Sequence, residues 1–197
     1  MTRPDAAWQP ALTWSPELLL RAQGPTGTIR LAVFDVDGVL TDGRLFIGEQ
    51  GEIVKAFHVL DGQGLKLLQR AGIEPVIITG RDSAALRRRI SDLGLIHLRC
   101  GVSDKRAEAQ QLLDKLNVAW SEVAAMGDDW PDLPLLTQAG FACAPPNAHV
   151  EVRAVAHHVT QAGGGEGAAR EFCDLLLVAK GCYAALLRGH LSTLDSA

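Results

Sequence analysis

The sequence predicts an α/β fold in which a parallel β-sheet is covered by helices on both faces. From residue 29 onward, short apolar runs alternate with segments of helical periodicity, and repeated strand–helix units of this size are typical of parallel sheets. The chain has 197 residues, of which 47% are hydrophobic and 5% aromatic. This length fits one domain with a full core, and the composition suits an α/β protein.

Short runs of mostly apolar residues are predicted to be the strands of this sheet. These runs are residues 31–34, 75–79, 96–99, 123–126, 141–144 and 158–160. The first run, Leu31–Phe34, is apolar at every position, as expected of a strand that is buried on both faces. It directly precedes Asp35 and Asp37. A buried strand has no use for two acids unless they lie at its end, where open α/β sheets place their chemistry.

Helices are predicted between and after these strands. They are residues 64–70, 83–93, 105–116, 133–138, 149–155 and 168–187. Ser83 and Gly94 mark the start and the end of the helix at 83–93. In the next helix, apolar residues recur at helical spacing. Residues 1–28 are predicted to form an N-terminal extension with a short helix that Ser15 caps, and residues 29–190 to form a single domain.

A β-hairpin is predicted at about residues 43–58, with strands at 44–48 and 53–58. Its apolar residues are Leu45, Ile47, Ile53 and Phe57. A hairpin alone is marginally stable in water. We therefore expect it to be stabilised by oligomerisation, the alternative being that it folds back on its own domain. His58 is interpreted as a packed or solvated strand residue, and His157 and His158 as structural residues on opposite faces of a strand.

Composition and charge exclude several classes of function. The formal net charge is −4, so that no basic surface indicates nucleic-acid binding. The apolar runs are too short to span a bilayer, and the N-terminus lacks the pattern of a signal peptide. The four cysteines, at positions 100, 143, 173 and 182, form no CxxC pair. They are interpreted as reduced thiols of a cytoplasmic protein.

Charged and hydroxyl side chains follow four of the predicted strands. They are Asp35, Asp37, Thr79, Lys105, Asp128, Asp129 and Asp132. Because the carboxyl ends of parallel strands meet at one edge of the sheet, we expect these groups to converge. One ammonium, one hydroxyl and several carboxylates in one place describe a phosphoryl-transfer site. Carboxylates are also the ligands that Mg²⁺ prefers.

Each of these segments alone has a structural explanation. A DxD sequence occurs by chance in many loops, and Lys105 could be a solvated helix residue. Asp128 and Asp129 could cap the helix that follows them. The order of the segments and their shared position after strands favour the functional interpretation.

In this order, DxDG, TGR, a lone lysine and GDDxxD resemble the haloacid dehalogenase superfamily of aspartyl-phosphate phosphatases. The resemblance implies a Rossmann-like three-layer sandwich and a Mg²⁺-dependent mechanism. Asp35 would be the nucleophile and Asp37 the general acid and base. Mg²⁺ would be held by the Asp35 carboxylate, the Asp37 backbone carbonyl and the Asp128 carboxylate. Thr79 and Lys105 would hold the phosphoryl oxygens, with Asp129 and Asp132 in support.

Many members of this superfamily carry a cap domain over the site, and this sequence has no room for one. The stretch between Asp37 and Thr79 is used by the hairpin, one helix and one strand. The stretch between Thr79 and Lys105 holds one helix and one strand. We therefore expect an open site that takes a large substrate or is closed by a neighbouring subunit, which would exclude water.

Further motifs narrow the resemblance. DGVLTDG at 37–43, a hairpin ending at Gly64, TGRDS at 79–83 and GGEGAARE at 164–171 are similar to the family of 3-deoxy-D-manno-octulosonate 8-phosphate phosphatases. That family consists of capless tetramers joined through their hairpins, and it acts in lipopolysaccharide precursor synthesis. The resemblance implies that Gly80, Arg81 and Arg170 bind the anionic sugar phosphate. For Arg81 a surface salt bridge is the alternative, and for Arg170 a structural role at a helix start is an equal alternative.

Three departures from the family pattern bear on the substrate. Leu60 replaces an arginine, residues 144–147 lack a usual acid, and the N-terminal extension is unusual. None of them touches the hydrolytic residues. The first two, and Leu60 most of all, leave open a related nine-carbon sialic-type sugar phosphate as substrate. A separate alternative, of a different class, is a non-catalytic oligomeric relict.

Overall fold

A six-stranded parallel β-sheet forms the centre of the computed structural model, which describes residues 11–49 and 51–192. Its strands are β1 (Leu31–Phe34), β4 (Glu74–Ile78), β5 (His97–Arg99), β6 (Val123–Met126), β7 (Phe141–Ala144) and β8 (His158–Val159). They lie in the order β5-β4-β1-β6-β7-β8. The predicted strands are thereby confirmed within one or two residues at their ends.

Helices cover both faces of this sheet. They are α1 (Pro16–Ala22), α2 (Val59–Arg70), α3 (Ala84–Leu93), α4 (Lys105–Leu116), α5 (Leu133–Leu136), α6 (Val150–Val155), α7 (Ala168–Ala179) and α8 (Tyr183–Ser192). Short 3₁₀ turns at Trp120–Glu122 and Trp130–Asp132 flank β6. The predicted Rossmann-like three-layer fold is confirmed.

Two separate cores show why β1 is apolar throughout. Ala32 and Phe34 point into a cluster with helices α2, α3 and α7. Leu31 and Val33 point into a second cluster with α4, α5 and α6 on the opposite face. Since side chains alternate along a strand, a central strand between two helical layers must be apolar at every position.

The hairpin consists of β2 (Phe46–Gly48) and β3 (Gly51–Val54), which pair antiparallel as a separate two-stranded sheet. Both strands are shorter than predicted. Its apolar side chains are largely exposed to solvent, with Ile47 61% and Ile53 68% exposed. In the described residues, the segments between Asp37 and Thr79 and between Thr79 and Lys105 hold only the predicted elements, so they contain no cap domain.

The prediction for the start of α2 was wrong by five residues. The helix begins at Val59 rather than at residue 64, and His58 is its N-cap, with Nδ1 accepting a hydrogen bond from the Leu60 amide at 3.3 Å. Glycine costs helix stability, yet the helix contains Gly62, which lies before the predicted start, and Gly64. Their lack of a side chain instead allows close packing, since a Cβ on Gly64 would lie 3.1 Å from Cys173 of α7.

The long C-terminal helix predicted over 168–187 is two helices. Helix α7 ends at Ala179 and α8 begins at Tyr183. Between them Gly181 has φ of +75°, a left-handed conformation that ends helices. The apolar pattern continues across this break because both helices pack on the same core, and periodicity alone does not show the turn.

The N-terminal helix α1 has the predicted cap, since the Ser15 hydroxyl accepts a hydrogen bond from the Leu18 amide at 3.2 Å. It packs against α7, and Ala22 at its end is buried. Residues 1–10 lie outside the described part of the chain. All four cysteines are free thiols, as predicted. None of the helices in the described part of the chain combines the length and apolar character needed to cross a membrane.

Candidate active site

The register of the sheet brings the predicted segments to one edge. Phe34 of β1 pairs with Ile77 of β4 on one side and with Met126 of β6 on the other. The residues that follow these three strand ends therefore emerge side by side, as the sequence predicted.

Asp35 follows β1 directly and is 8% exposed. Its backbone amide continues the sheet by donating to the Met126 carbonyl at 3.0 Å. The chain then turns sharply at Gly38, which has φ of +90°, a conformation open to glycine at little cost. A Cβ on Gly38 would overlap the Asp128 carboxylate. The turn thus brings the backbone after Asp37 against an acid from another strand end.

Lys105 is the buried cation of the site. It is the first residue of α4 and 7% exposed. Its Nζ donates a hydrogen bond to Asp132 Oδ1 at 2.7 Å and lies 2.7 Å from Asp35 Oδ1 as an ion pair. Two carboxylates therefore fix the ammonium beside Asp35.

Three carboxylates cluster beside this ammonium, which contacts two of them. Oxygens of Asp35, Asp128 and Asp132 lie within 4.8 Å of one another. Burial, together with repulsion from Asp132, raises the pKa of Asp35 to about 6. Burial, together with repulsion from Asp35 and Asp132, raises the pKa of Asp128 to about 8. The cluster carries more negative charge than Lys105 balances.

The donor set of this cluster fits a hard divalent cation. Asp35 is engaged at one oxygen, because the partner of its buried Oδ1 among the described residues is the Lys105 ammonium at 2.7 Å. Asp132 differs, because both of its oxygens are occupied: Lys105 donates to Oδ1, and the amide of Asp128 donates to Oδ2 at 3.0 Å. Asp35 and Asp128 are therefore the better candidates for metal ligands, and Asp132 is the residue that orients Lys105.

The segment after β4 supplies neutral and cationic groups. Thr79 is 1% exposed, and its hydroxyl accepts a hydrogen bond from the Arg81 amide at 3.3 Å. The Arg81 guanidinium is half-exposed. Its Nε lies 3.8 Å from Asp37 Oδ2, and its Nη2 lies 3.4 Å from Glu52 Oε2.

These groups line one open cavity of about 360 Å³. Its lining includes Asp35, Asp37, Thr79, Gly80, Arg81, Lys105, Asp128, Asp129 and Asp132. Every site residue singled out from the sequence except Arg170 is therefore found here. A carboxylate beside an ammonium, a hydroxyl and a second acid that can ligate a cation is an arrangement able to receive a phosphoryl group.

Comparison with known proteins gives this site a family. A model of haloacid dehalogenase-like hydrolases matches residues 100–172. The 3-deoxy-D-manno-octulosonate 8-phosphate phosphatase KdsC of Salmonella typhimurium is 42% identical over 167 residues, which cover 85% of this chain and 87% of that protein. This chain belongs to the octulosonate 8-phosphate phosphatase family. The resemblance that its motifs indicate is thereby confirmed.

Solved structures agree with this assignment. The octulosonate 8-phosphate phosphatase from Moraxella catarrhalis, in complex with magnesium ion, phosphate ion and KDO, is 40% identical with a TM-score of 0.83. The match covers 88% of this chain and 98% of that one. A probable YrbI family phosphatase from Pseudomonas syringae is 47% identical with a TM-score of 0.85, and the match covers 90% and 98% of the two chains.

Arg170 lies elsewhere in this member of the family. It is in the first turn of α7, and its Nε donates to both oxygens of Asp174 at 2.8 Å. Its side chain lines a separate cavity of about 250 Å³ with Gln63 and Tyr183. Within one chain, Arg170 is part of an ion pair and is not a wall of the catalytic cavity.

Residues 144–147 and the glycine motif at 164–171 both support the loop that follows Asp37. Asn147 follows β7, donates to the Gly38 carbonyl at 3.0 Å and accepts from the Gly164 amide at 2.7 Å. It thereby joins the loop after Asp37 to the late glycine motif of the family. Residues 144–147, which depart from the family pattern, therefore include Asn147, and this residue supports the loop after Asp37.

Lys55 belongs to the site although it was not predicted from the sequence: it contacts Asp37 Oδ1 and lies 3.1 Å from Glu52 Oε1. Its side chain is only 3% exposed. A signal was present in the sequence, because Lys55 falls between Ile53 and Phe57 at alternate spacing in the strand predicted at 53–58, although β3 itself ends at Val54. A lysine at that position of an apolar stripe indicates a partner.

Proposed function

We propose that this chain hydrolyses the phosphate ester of 3-deoxy-D-manno-octulosonate 8-phosphate through an aspartyl-phosphate intermediate, with Mg²⁺ as cofactor. The observation that carries the proposal is the buried contact of Asp35 with Lys105 beside a second, metal-competent acid, Asp128. This is the arrangement that an attacking carboxylate needs. The ammonium and the cation offset the charge of the phosphoryl group that the carboxylate approaches.

In the first step, a carboxylate oxygen of Asp35 forms a bond to phosphorus as the bond from phosphorus to the sugar oxygen breaks. Asp37, protonated, donates its proton to that departing oxygen. In the second step, Asp37 as a carboxylate takes a proton from water. The water oxygen bonds to phosphorus, the bond from Asp35 to phosphorus breaks, and inorganic phosphate leaves.

The remaining residues hold the phosphoryl oxygens and the charge. Lys105 and the Thr79 hydroxyl bind oxygens of the phosphoryl group, and Asp132 keeps Lys105 in place. The carboxylates of Asp35 and Asp128 and the backbone carbonyl of Asp37 would hold Mg²⁺, with Asp129 in support. The bound cation supplies positive charge that draws electrons from phosphorus and neutralises the developing negative charge.

Arg81, with Gly80, is proposed to bind the anionic part of the substrate. Its side chain is 44% exposed and its two ion-pair distances are 3.8 and 3.4 Å, so that it is the most accessible cation of the cavity wall. Arg170 is proposed to bind substrate only at the site of a neighbouring subunit, since in its own chain it is held by Asp174.

The substrate is proposed from the similarity of this chain to its relatives. Activity measurements with a panel of sugar phosphates test this choice. Leu60 stands where the family has an arginine and is 49% exposed on the first turn of α2. The octulosonate 8-phosphate should give the highest kcat/KM of the panel. A higher value with a nine-carbon sialic-type sugar phosphate would assign the chain to that substrate instead.

Hydrolysis of a generic phosphomonoester with and without metal tests the reaction class. Activity should require Mg²⁺, disappear in EDTA and return when Mg²⁺ is restored. Asp35→Asn should abolish it, since an amide oxygen is a poor nucleophile. No hydrolysis of any phosphomonoester by the folded wild-type protein would favour the non-catalytic relict. The intact set of Asp35, Asp37, Lys105 and Asp128 argues against the relict.

We infer further that the chain assembles as a homotetramer through its hairpins. Five side chains of the hairpin region support this: Leu45, Phe46, Ile47, Ile53 and Val54, which are 45–68% exposed. Apolar groups exposed together on a two-stranded ribbon indicate an interface. The catalytic cavity is open to solvent, and a neighbouring subunit bound at this interface would exclude water from the cavity.

A cytoplasmic location is proposed on the basis of the four cysteines, all free thiols in the structure. Unpaired cysteines fit a reducing compartment. Fractionation of the source cells should place the activity with cytosolic markers, and activity released with periplasmic or secreted proteins would overturn this location.

A further inference from the structure

Four charged side chains form a closed group where the hairpin meets the catalytic cavity. They are Asp37, Glu52, Lys55 and Arg81. Lys55 contacts Asp37 Oδ1 and lies 3.1 Å from Glu52 Oε1. Arg81 lies 3.8 Å from Asp37 Oδ2 and 3.4 Å from Glu52 Oε2. Two cations and two anions therefore alternate around the group, and its formal charges cancel.

The two cations of this group differ in how firmly they are held. The Lys55 side chain is 3% exposed, whereas that of Arg81 is 44% exposed. A buried ammonium between two carboxylates cannot leave without stranding charges away from water, which is costly. Arg81 makes longer contacts and faces solvent, so it can turn towards a substrate while Lys55 stays in place.

The position of Lys55 argues against a role as a substrate ligand. Asp37 and Arg81 are among the described residues that line the catalytic cavity, and Lys55 and Glu52 are not. The ammonium is already shared between two carboxylates. Of the two described partners of Lys55, only Asp37 lines the cavity.

We propose that Lys55 is a positioning residue that fixes the Asp37 carboxyl group for proton transfer. Lys55 holds Oδ1, which leaves Oδ2 as the oxygen that gives its proton to the departing sugar oxygen and later accepts one from water. This inference rests on the proposed role of Asp37 as general acid and base. It adds that the hairpin acts on the reaction through Glu52, which lies within β3, and through Lys55, which directly follows that strand.

The leaving group provides a test that separates positioning from binding or folding. Release of p-nitrophenolate needs no proton, whereas release of an alkoxide does. We would measure the rate of the first turnover of Lys55→Met by rapid quench with two substrates, p-nitrophenyl phosphate and an alkyl phosphate. The alkyl phosphate is the octulosonate 8-phosphate. If the protein does not hydrolyse it, the best substrate of the sugar-phosphate panel replaces it. Lys66→Met is the matched control, since Lys66 is an exposed lysine on α2.

Lys55→Met should slow the first turnover of the alkyl phosphate at least about tenfold, since general acid catalysis contributes ~10²–10⁴-fold in all. The first turnover of p-nitrophenyl phosphate should change less than about threefold, and the KM of the alkyl phosphate should stay near its wild-type value. Lys66→Met should leave both rates unchanged. Lys55→Arg, which retains the charge, should recover part of the lost rate.

Equal slowing of both substrates, or a raised KM with an unchanged first turnover, would overturn the proposal. If Lys55→Met does not fold, Glu52→Gln replaces it, because this change weakens the second anchor of Lys55 and keeps the ammonium. It should show the same selective slowing to a smaller degree, and an unselective loss would count against the proposal. Failure of the proposed function is recognised separately, as absence of any Mg²⁺-dependent turnover in the wild-type protein.

Discussion

At the scale of single residues, the site depends on an imbalance of charge. Three carboxylates face one buried ammonium, and the raised pKa values of Asp35 and Asp128 express that imbalance. A protein that only needed stability would gain by replacing these acids, since clustered buried charges of one sign are costly. Their presence together supports the proposal that the cluster receives a cation and a phosphate.

Asp132→Asn tests the role of Asp132 as the residue that orients Lys105. The amide keeps the shape but loses the charge that holds the ammonium, so Lys105 should turn towards Asp35. We expect kcat to fall about 10–100-fold at saturating Mg²⁺, which is the usual effect of losing a residue that supports a ligand. Steady-state kinetics of purified protein measure this. Asp114→Asn is the comparison, because Asp114 is an exposed acid of α4 that is not among the residues lining the cavity. An equal loss in both variants would contradict the assignment.

At the scale of elements, the late glycine motif supports the loop that carries Asp37. A Cβ on Gly164 would lie 1.8 Å from the Gly38 carbonyl oxygen, and one on Gly165 would lie 2.5 Å from the Asp42 amide. The segment before α7 therefore packs its backbone directly against the loop after β1. Asn147 bridges the same two segments.

Gly164→Ala should destabilise the protein and also displace the catalytic loop. We expect the free energy of unfolding to fall by about 1–3 kcal/mol, the range for overpacking, and kcat to fall with it. Urea denaturation and steady-state kinetics are the measurements. Gly189→Ala on α8 is the matched control, since a Cβ there meets nothing within 4 Å. A fully active and fully stable Gly164→Ala protein would show that the close approach is not required.

Glu171 of α7 gives the fold a dependence on pH that is separate from catalysis. Burial alone would raise the pKa of Glu171. Hydrogen bonds from His158 and from the amides of Ala162 and Gln161 outweigh burial and lower it below 4.5. Because the pKa is lower in the folded than in the unfolded protein, the stabilisation is complete above pH 4.5. It is lost as the pH falls through the folded-state pKa.

Glu171→Gln should therefore destabilise the protein near pH 7 by about 1–2 kcal/mol, the range for hydrogen bonds to a charged group that is partly exposed. The difference from the wild-type protein should shrink as the pH falls below 4.5. Urea denaturation of both proteins across this range measures it. A difference that stays constant with pH would contradict the role of the charge.

Sequence periodicity predicted the strands and the edge at which they carry chemistry. Leu31–Phe34, Val123–Met126 and Phe141–Ala144 match the prediction to the residue. It failed at α2, where tertiary packing of Gly62 and Gly64 overrides helix propensity, and at the break between α7 and α8. The contact of Lys55 with Asp37 was out of reach for another reason. It joins a hairpin to a loop, and no local pattern fixes how the two meet.

At the scale of the whole molecule, the open cavity and the exposed hairpin belong together. The chain has no cap domain in its described residues, and the apolar hairpin surface lies next to a site that works better without water. The ion pairs of Lys55 and Glu52 connect the two. Assembly through the hairpins would thus complete the active site as well as stabilise the ribbon.

Ile47→Asp should weaken that assembly. Ile47 is 61% exposed in the single chain, and a charge there would be buried unpaired in a hairpin interface. We expect light scattering after size exclusion to show a lower mass than for the wild-type protein, together with lower activity. Ile96→Asp is the control, because Ile96 is 74% exposed at a place remote from the hairpin in the sequence. An unchanged mass for Ile47→Asp, or an equal drop in both variants, would contradict assembly through the hairpins.

Chemical trapping of the phosphorylated enzyme tests the proposed chemistry most directly. Rapid quench during turnover, followed by borohydride reduction, converts an aspartyl phosphate to homoserine, which peptide mass spectrometry assigns to a position. The proposal predicts homoserine at position 35 of the wild-type protein and none in Asp35→Asn or without substrate. Reduction at another residue, or turnover that continues in Asp35→Asn, would contradict it.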